Sequence, residues 1–195
     1  MDRLMRYFTA ILLAGMLAGC GYREFQAQDD AVSAAWAEVV RHYQLRAQLV
    51  PELIDTARNA SQPATVDAVL QAKSRAAGVD ARPEALQNPQ LFYAFQQAQG
   101  DLSAALAQML IEVSGDARAE TDPALRELQE RLHAVENDII RARERYVVAV
   151  REFNKMATRF PTNLTAMALS YELKPTFPVD ADRAVTRPPA VAFER

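Results

Sequence analysis

Cysteine, histidine and glycine are scarce in this 195-residue chain, and each scarcity excludes a class of function. Cys20 is the only cysteine, so no intrachain disulfide can form, and two histidines leave little material for a metal site. The six scattered glycines form no glycine-rich phosphate loop, and the sequence contains no Gly-x-Ser-x-Gly nucleophile elbow. We therefore expect no metal ion, no cofactor and no catalytic residue.

The chain also lacks a run of positive charge. Its formal net charge is −3, from 22 basic and 25 acidic side chains spread along the sequence. This balance gives no electrostatic reason to bind nucleic acid, whose phosphates attract clustered lysine and arginine. No basic segment favours anionic lipid headgroups either. Nucleic acid is therefore not an expected partner.

The N-terminal segment has the layout of a secretory signal. Arg3 and Arg6 precede an apolar run over residues 7–17, which ends in small residues. This run has about a dozen residues, whereas a membrane-spanning helix needs roughly 20. The segment is therefore predicted to direct export rather than to remain as a permanent span.

A motif that resembles a lipobox follows the apolar run and consists of Leu17, Ala18, Gly19 and Cys20. The resemblance implies that residues 1–19 are removed and that Cys20 carries a lipid that holds the chain on a bacterial membrane. Gly21, rather than aspartate, follows the cysteine, which favours the outer membrane with the domain in the periplasm. The alternative is an uncleaved signal anchor with an incidental cysteine.

Beyond the anchor, apolar residues recur at intervals of three and four, the spacing of one helix face. This pattern predicts long helices at about residues 29–60, 89–115 and 123–159, and a shorter helix at about 65–77. Asn88-Pro89 and Asp122-Pro123 are typical of helix starts, because a capping side chain precedes a proline in the first turn. Pro51 predicts a kink in the first helix rather than its end.

These helices predict an all-α fold, an antiparallel up-and-down bundle with three long helices and one shorter helix. The three long helices are expected to supply the core. The predicted organisation is a signal peptide (1–19), a lipidated N-terminus and linker (20–28), the bundle domain (29–171) and a Pro-rich tail (172–195). The tail is expected to be extended or mobile.

A row of polar residues lies beside the apolar face of the last helix. Glu136, Arg143 and Asn154 share one flank of that helix, and Arg46 of the first helix completes this predicted polar seam. One interpretation is that the seam fixes the register between helices through charge-assisted bonds. The other is a partly solvated flank without a special role, and the sequence favours neither.

The sequence of the last helix resembles the LemA family. The resemblance is carried by ENDIIRARERYVVAVREFN at residues 136–154 and RFP at 159–161, with LRAQLVPELID, AVLQAKSRA and GDLSAAL before them in the right order. Val147 stands where an asparagine is usual, Phe153 where a tyrosine is usual and Lys73 where an arginine is common. The resemblance implies a membrane-anchored helical bundle of poorly defined function.

One pattern that could hold a metal in a helical bundle is Glu130-x-x-His133. The positions of these two residues along the last helix, however, place both side chains away from its apolar face. The expected function is therefore that of a non-enzymatic envelope lipoprotein, a scaffold or interaction module. Its partners would be the membrane, through the lipid, and an unknown protein that could meet the face around Arg131, Glu144 and Arg145. The alternative is a periplasmic protein that binds a small apolar or lipidic ligand between its helices.

Overall fold

The computed structural model describes residues 2–116 and 121–178, with side chains from residue 22 onward. In these ranges the chain forms five α-helices: α1 (Asp2–Ala57), α2 (Pro63–Gly78), α3 (Pro89–Ser114), α4 (Pro123–Thr158) and α5 (Thr162–Ala168). A 3₁₀ turn over Pro83–Gln87 precedes α3. The predicted all-α fold class is confirmed. Among the described residues, no helix is long and apolar enough to span a membrane.

Two groups of predicted features lie where the structure gives no side chains. The backbone of the lipobox-like motif belongs to α1, but its side chains are not described; they are those of Leu17, Ala18, Gly19 and Cys20. The Pro-rich tail from residue 179 to residue 195 lies outside the described residues. Signal cleavage and lipidation therefore stay predictions.

Helices α1 and α4 run antiparallel along most of their length. Near the start of α1, Phe25 packs edge-on against Phe153 near the end of α4, with ring centroids 6.0 Å apart. Near the end of α1, Glu52 forms an ion pair of 3.2 Å with Arg131 in the first half of α4. The long apolar face of α4 is therefore covered by α1, as its three-and-four spacing predicts.

Helix α3 runs parallel to α1, and α2 runs antiparallel to α3. Trp36 contacts Phe92 at the start of α3, and Arg46, farther along α1, is bonded to Gln99, farther along α3. The first turn of α2 is bonded instead to Glu112, near the end of α3. The helices thus alternate in direction along the chain, which gives the up-and-down order of a four-helix bundle.

The helix starts follow local sequence signals. The Asn88 side chain accepts a hydrogen bond of 3.0 Å from the Gln90 amide at the start of α3. The Asp122 side chain accepts one of 2.9 Å from the Ala124 amide at the start of α4. Both predicted caps are confirmed, and α1 continues through Pro51 to Ala57. Helix α2 begins at Pro63, two residues before its predicted start.

Glu112 supplies the cap that α2 lacks in its own sequence. Its carboxylate accepts hydrogen bonds from the Gln62 amide (3.0 Å) and the Thr65 hydroxyl (2.6 Å). The Thr65 hydroxyl is the main reason that the Glu112 pKa lies below its ordinary value, and the Gln62 amide adds to it. These bonds join the start of α2 to the end of α3.

We expect an NMR titration to give a Glu112 pKa below the ordinary glutamate value. Because the folded-state pKa is depressed, this carboxylate stabilises the fold above its unfolded-state pKa, and the stabilisation is lost as the pH falls through the folded-state pKa. Glu112→Gln should remove this part of the acid dependence. Thr65→Val should raise the Glu112 pKa. An unchanged pKa in Thr65→Val would contradict the assigned cause.

The buried side chains form two apolar clusters along the bundle axis. The aromatic cluster lies toward the start of α1, and its rings are those of Phe25, Trp36, Tyr43, Phe92, Phe95, Tyr146, Phe153 and Phe177. The aliphatic cluster lies toward the end of α1 and is built by α1, α2, α3 and α4. The expectation that the three long helices supply the core is therefore met, with α2 contributing only to the aliphatic half.

The predicted linker over residues 20–28 is helical instead, and the predicted start of the first helix at Asp29 is wrong. Helix α1 passes through this segment without a break. Phe25 lies inside it, fully buried, stacked on Tyr171 with ring centroids 5.1 Å apart. Asp29 accepts no capping bond there and instead pairs with Lys174 at 2.8 Å. An apolar ring covered on two sides gives this segment a packing reason to stay helical.

The Pro-rich tail begins later than predicted. Residues 172–178 form no helix or strand, and they pack on the bundle rather than leaving it. Phe177 is 1% exposed and contacts Trp36, Phe92 and Tyr146. The bundle domain therefore includes residues 172–178. Helix α2 contributes no side chain to the aromatic cluster, whereas Phe177 of this segment is part of it.

The turn after α5 contains a residue in the left-handed region. Ser170 has φ of 54°, while its amide bonds to the Met167 carbonyl (3.3 Å) and the Tyr171 amide to the Ala166 carbonyl (3.0 Å). This is the bond pattern of a Schellman motif, in which glycine is usual at the left-handed position. The motif directs the chain back so that Tyr171 reaches Phe25.

We expect Ser170→Gly to raise the free energy of unfolding by about 0.5–1 kcal/mol, because serine pays a steric cost in this conformation that glycine avoids. Urea denaturation monitored by circular dichroism measures the change. Ser33→Gly, within α1, is the control and should lower stability by about 1 kcal/mol. A loss of stability in Ser170→Gly would contradict the assigned turn.

A buried charged layer as candidate functional site

Three helices each place one polar side chain between the two apolar clusters. On α1, Arg46 lies between Tyr43 of the aromatic cluster and Val50 of the aliphatic cluster. On α3, Gln99 lies in the same way between Phe95 and Leu102, and on α4, Glu136 lies between Leu132 and Ile139. All three occupy core positions by their spacing of three and four. We call Arg46, Gln99, Ser103, Glu136 and Arg143 the charged layer.

Arg46 is the centre of the charged layer. Its side chain is fully buried, and its guanidinium donates to the Glu136 carboxylate at 3.0 Å and to the Ser103 hydroxyl. It also donates to the Gln99 side-chain oxygen (2.7 Å) and to the Gln99 backbone carbonyl (3.1 Å). One side chain from α1 thus binds groups on both α3 and α4. Charge-assisted bonds of this kind are short and directional.

Arg143 lies two helical turns beyond Glu136 on α4 and is also buried. Its guanidinium carbon lies 4.2 Å from the centre of the Phe177 ring, a cation–π contact. Tyr43 lies between the two arginines: Arg46 is 5.0 Å from its ring centre. Burial raises the pKa of the Tyr43 hydroxyl above its ordinary value, and the positive charges of Arg143 and Arg46 only partly oppose this.

The layer therefore buries two arginines and one glutamate. Removing a charge from water costs several kcal/mol, and this cost is compensated only by close partners and hydrogen bonds. Glu136 is the buried carboxylate that faces Arg46, at 6% exposure. The interpretation of Glu136 and Arg143 as a solvated flank is therefore wrong. The alternative, that the seam fixes register, stays a prediction.

His42 lies one helical turn before Arg46 on α1. This side chain is buried on α1, and its Nε2 lies 3.5 Å from the Glu38 carboxylate and 2.8 Å from the Arg41 guanidinium. Its Nδ1 lies 3.9 Å from Asp138 on α4. Ionisable groups therefore also meet at the edge of the α1–α4 contact.

Asn154 does not join the other predicted seam residues. It lies on the last turns of α4, where its side-chain amide donates to the Lys174 carbonyl (3.0 Å) and its oxygen accepts from the Lys174 amide (2.9 Å). The Tyr146 hydroxyl donates to the Pro175 carbonyl at 2.8 Å, and burial raises the pKa of that hydroxyl. These bonds hold the segment over residues 172–178 against α4.

Sequence reasoning brought Arg46 and Glu136 into one seam but missed Gln99 and Ser103. A signal was present for both, because each falls on the apolar face of α3. Trp36 was assigned to the core, but its indole donor also binds the Ala81 carbonyl at 2.7 Å, which holds the turn before α3. That contact spans 45 residues and has no local signature.

Within the layer, Arg46 binds Gln99, Ser103 and Glu136 in the interior of the bundle. Among the described residues, no three His, Cys, Asp or Glu side chains are grouped as metal ligands require. Glu130 and His133 are both exposed on α4, as their phase predicts. A surface groove of about 310 Å³ lies at the α1–α4–α5 end, lined by Glu24, Gln28, Glu152, Lys155, Met156, Arg159, Phe160, Pro161 and Thr162.

The fold and the charged layer define an up-and-down helical bundle whose two apolar halves are joined by buried charges. Comparison with protein families gives a match to the LemA family over residues 35–193. The chain belongs to the LemA family. A comparison with curated proteins finds no match.

Proposed function

We propose that this LemA-family protein is a non-enzymatic envelope lipoprotein, held at a membrane by a lipid on Cys20 and serving as a scaffold or interaction module. The observation that carries the proposal is the continuity of α1, which begins at Asp2, passes Cys20 and ends at Ala57. A lipid on Cys20 would be attached to the main core helix itself. The bundle would then stand on the membrane without a flexible linker.

The length of α1 sets how far the bundle would reach. At a rise of 1.5 Å per residue, the helix from Cys20 to Ala57 is roughly 55 Å long. Its antiparallel contact with α4 and the charged layer would keep this length as a stiff rod. Arg131 is already paired with Glu52, so a protein partner on this face would meet Glu144 and Arg145, which are exposed.

The absence of catalysis is part of the proposal and is supported by how the buried polar groups are used. Arg46, Glu136 and Gln99 bind one another inside the bundle, where a substrate would have to displace packed side chains. The surface groove is lined by charged residues such as Glu24, Glu152 and Arg159, which give an apolar ligand little to contact. We therefore favour the scaffold over the ligand-binding alternative.

The experiment compares wild type with Cys20→Ala by fractionation and crosslinking in intact cells. We expect the wild type in the membrane fraction with a reproducible set of crosslinked proteins. Cys20→Ala should lose the membrane association and those partners. Identical fractionation and identical partners in the two proteins would sink the proposal and favour the uncleaved signal anchor.

Gly21→Asp is the matched variant, because it keeps the lipidated cysteine and changes only the following residue. If Gly21 directs the protein to the outer membrane, this variant should appear in the inner membrane while keeping its lipid. Outer-membrane localisation of both proteins would show that Gly21 does not determine the membrane.

A further inference from the structure

An exposed apolar surface lies where α4 ends and α5 begins. It consists of Phe160 and Met167, each 75% exposed, with Leu164 at 57% and Leu169 at 42%. We call these four residues the apolar tip. Ala166 is buried at 3%, so one side of α5 packs on the bundle while Leu164 and Met167, three residues apart, are exposed.

The segment that carries the apolar tip contains no charged residue, while charged side chains of α1 and α4, such as Glu24 and Lys155, line the groove beside Phe160. Residues 160–171 read FPTNLTAMALSY and contain no Asp, Glu, Lys or Arg, in a chain in which 24% of residues are charged. Exposed apolar patches, especially those rimmed by polar residues, mark interaction sites. Other exposed apolar residues, such as Tyr93, Ile111 and Val148, lie on α3 and α4 outside this segment.

The height of the tip along the bundle follows from the α1–α4 contact. Phe153 lies against Phe25, and the two helices run antiparallel. Thr158, the last residue of α4, lies five residues beyond Phe153, and Cys20 lies five residues before Phe25. At a rise of 1.5 Å per residue, Thr158 and Cys20 each lie about 7.5 Å along the bundle axis from the Phe25–Phe153 contact. Because the helices are antiparallel, both lie on the same side of that contact. The chain therefore turns into the apolar tip at the height of Cys20.

We propose that the apolar tip inserts into the headgroup layer of the membrane that carries the lipid on Cys20. This inference rests on the proposed tethering. Amphipathic segments at a membrane surface bury their apolar side about 5–10 Å into the headgroup and acyl boundary, and the chain enters the tip at the height of the attachment point along the bundle. The bundle then contacts the bilayer at two places, the lipid and the tip, and its long axis has a defined orientation.

The test uses the full-length lipidated chain in vesicles of phosphatidylethanolamine and phosphatidylglycerol. An environment-sensitive fluorophore is attached at Met167→Cys, since the lipid occupies the thiol of Cys20, the only native cysteine. The control label is at Ile111→Cys, which is 49% exposed near the end of α3, far from the tip. Brominated phospholipid should quench the label at 167 several-fold more than the label at 111, with a blue-shifted emission only at 167.

Vesicle flotation separates the two ways of failing. If the chain floats with the vesicles and both labels are quenched equally weakly, the tip stays in water and this inference is wrong while tethering stands. If the chain does not float, the proposed tethering fails. If iodide in buffer cannot reach a label at 167 in the Cys20→Ala chain, the tail or a second copy covers the tip, and the membrane is not its occupant.

Discussion

Replacing Glu136 by leucine should lower the free energy of unfolding by about 3–5 kcal/mol, because it leaves the buried charge of Arg46 without its carboxylate. Arg46 is fully buried and bonds to Glu136 at 3.0 Å. Gln99 and Ser103 would still accept hydrogen bonds from Arg46, but neither carries a negative charge. Arg143, two turns away on α4, adds a second buried positive charge. Urea denaturation measures the loss.

Two further variants separate the loss of the ion pair from a general effect of the substitution. Glu130→Leu changes an exposed glutamate of the same helix and should alter stability by less than about 0.5 kcal/mol. The double variant Arg46→Met with Glu136→Leu removes both charges and should recover most of the stability, since apolar replacements of buried ion pairs are often neutral. If Glu136→Leu costs no more than Glu130→Leu, the charged layer does not bear on stability.

Replacing Phe177 by alanine should cost about 3–5 kcal/mol, as for other large buried aromatic residues. Its ring is 1% exposed, lies 4.9 Å from the Phe92 ring and 5.5 Å from the Tyr146 ring, and is covered by Arg143. Truncation at this position opens a cavity in the aromatic cluster and removes the cation–π contact. The loss should appear in the same cooperative transition as that of Glu136→Leu.

Leu173→Ala is the control for the tail segment, because Leu173 is 58% exposed only four residues earlier. It should change stability by less than about 0.5 kcal/mol. If Phe177→Ala and Leu173→Ala have equal urea midpoints, residues 172–178 are not part of the folded domain, and the original boundary at residue 171 would be restored.

Signals confined to a few neighbouring residues could be predicted from the sequence. Each cap depends on one side chain, of Asn88 or Asp122, and on backbone amides two or three residues later. The proline that follows each cap has no amide that needs a hydrogen-bond partner. The long apolar face of α4 also predicted antiparallel packing against another long helix, without indicating which helix that would be. Helix order and the all-α class follow from such local rules.

Charged core residues could be predicted only in part. Ala47 and Val135 fall on the apolar face by their spacing of three and four, and both are half-buried, whereas their neighbours Arg46 and Glu136 are buried. When a charged side chain occupies a core position, a pattern that counts only apolar residues assigns the core position to the neighbouring apolar residue instead. The burial of Arg46 depends on acceptors on α3 and α4, which lie 53 and 90 residues away.

Contacts between the ends of the chain could not be predicted. Phe25 and Phe177 each lie in a segment whose composition is typical of a linker or tail, because single aromatic residues carry no periodicity. Their burial depends on Tyr171, Trp36 and Phe92, which the fold brings together from distant parts of the sequence. Helix α2 does not contribute to the aromatic cluster, and Phe177 packs there against side chains of α1, α3 and α4.

The most direct test of the account is the intact mass of the protein purified from its own membrane. We predict a chain that begins at Cys20, without residues 1–19, and that is heavier than its amino-acid sequence by a diacylglycerol and any amide-linked acyl chain. A chain that begins at Met1 with an unmodified Cys20 would contradict the lipid anchor and, with it, the proposed position of the bundle at the membrane.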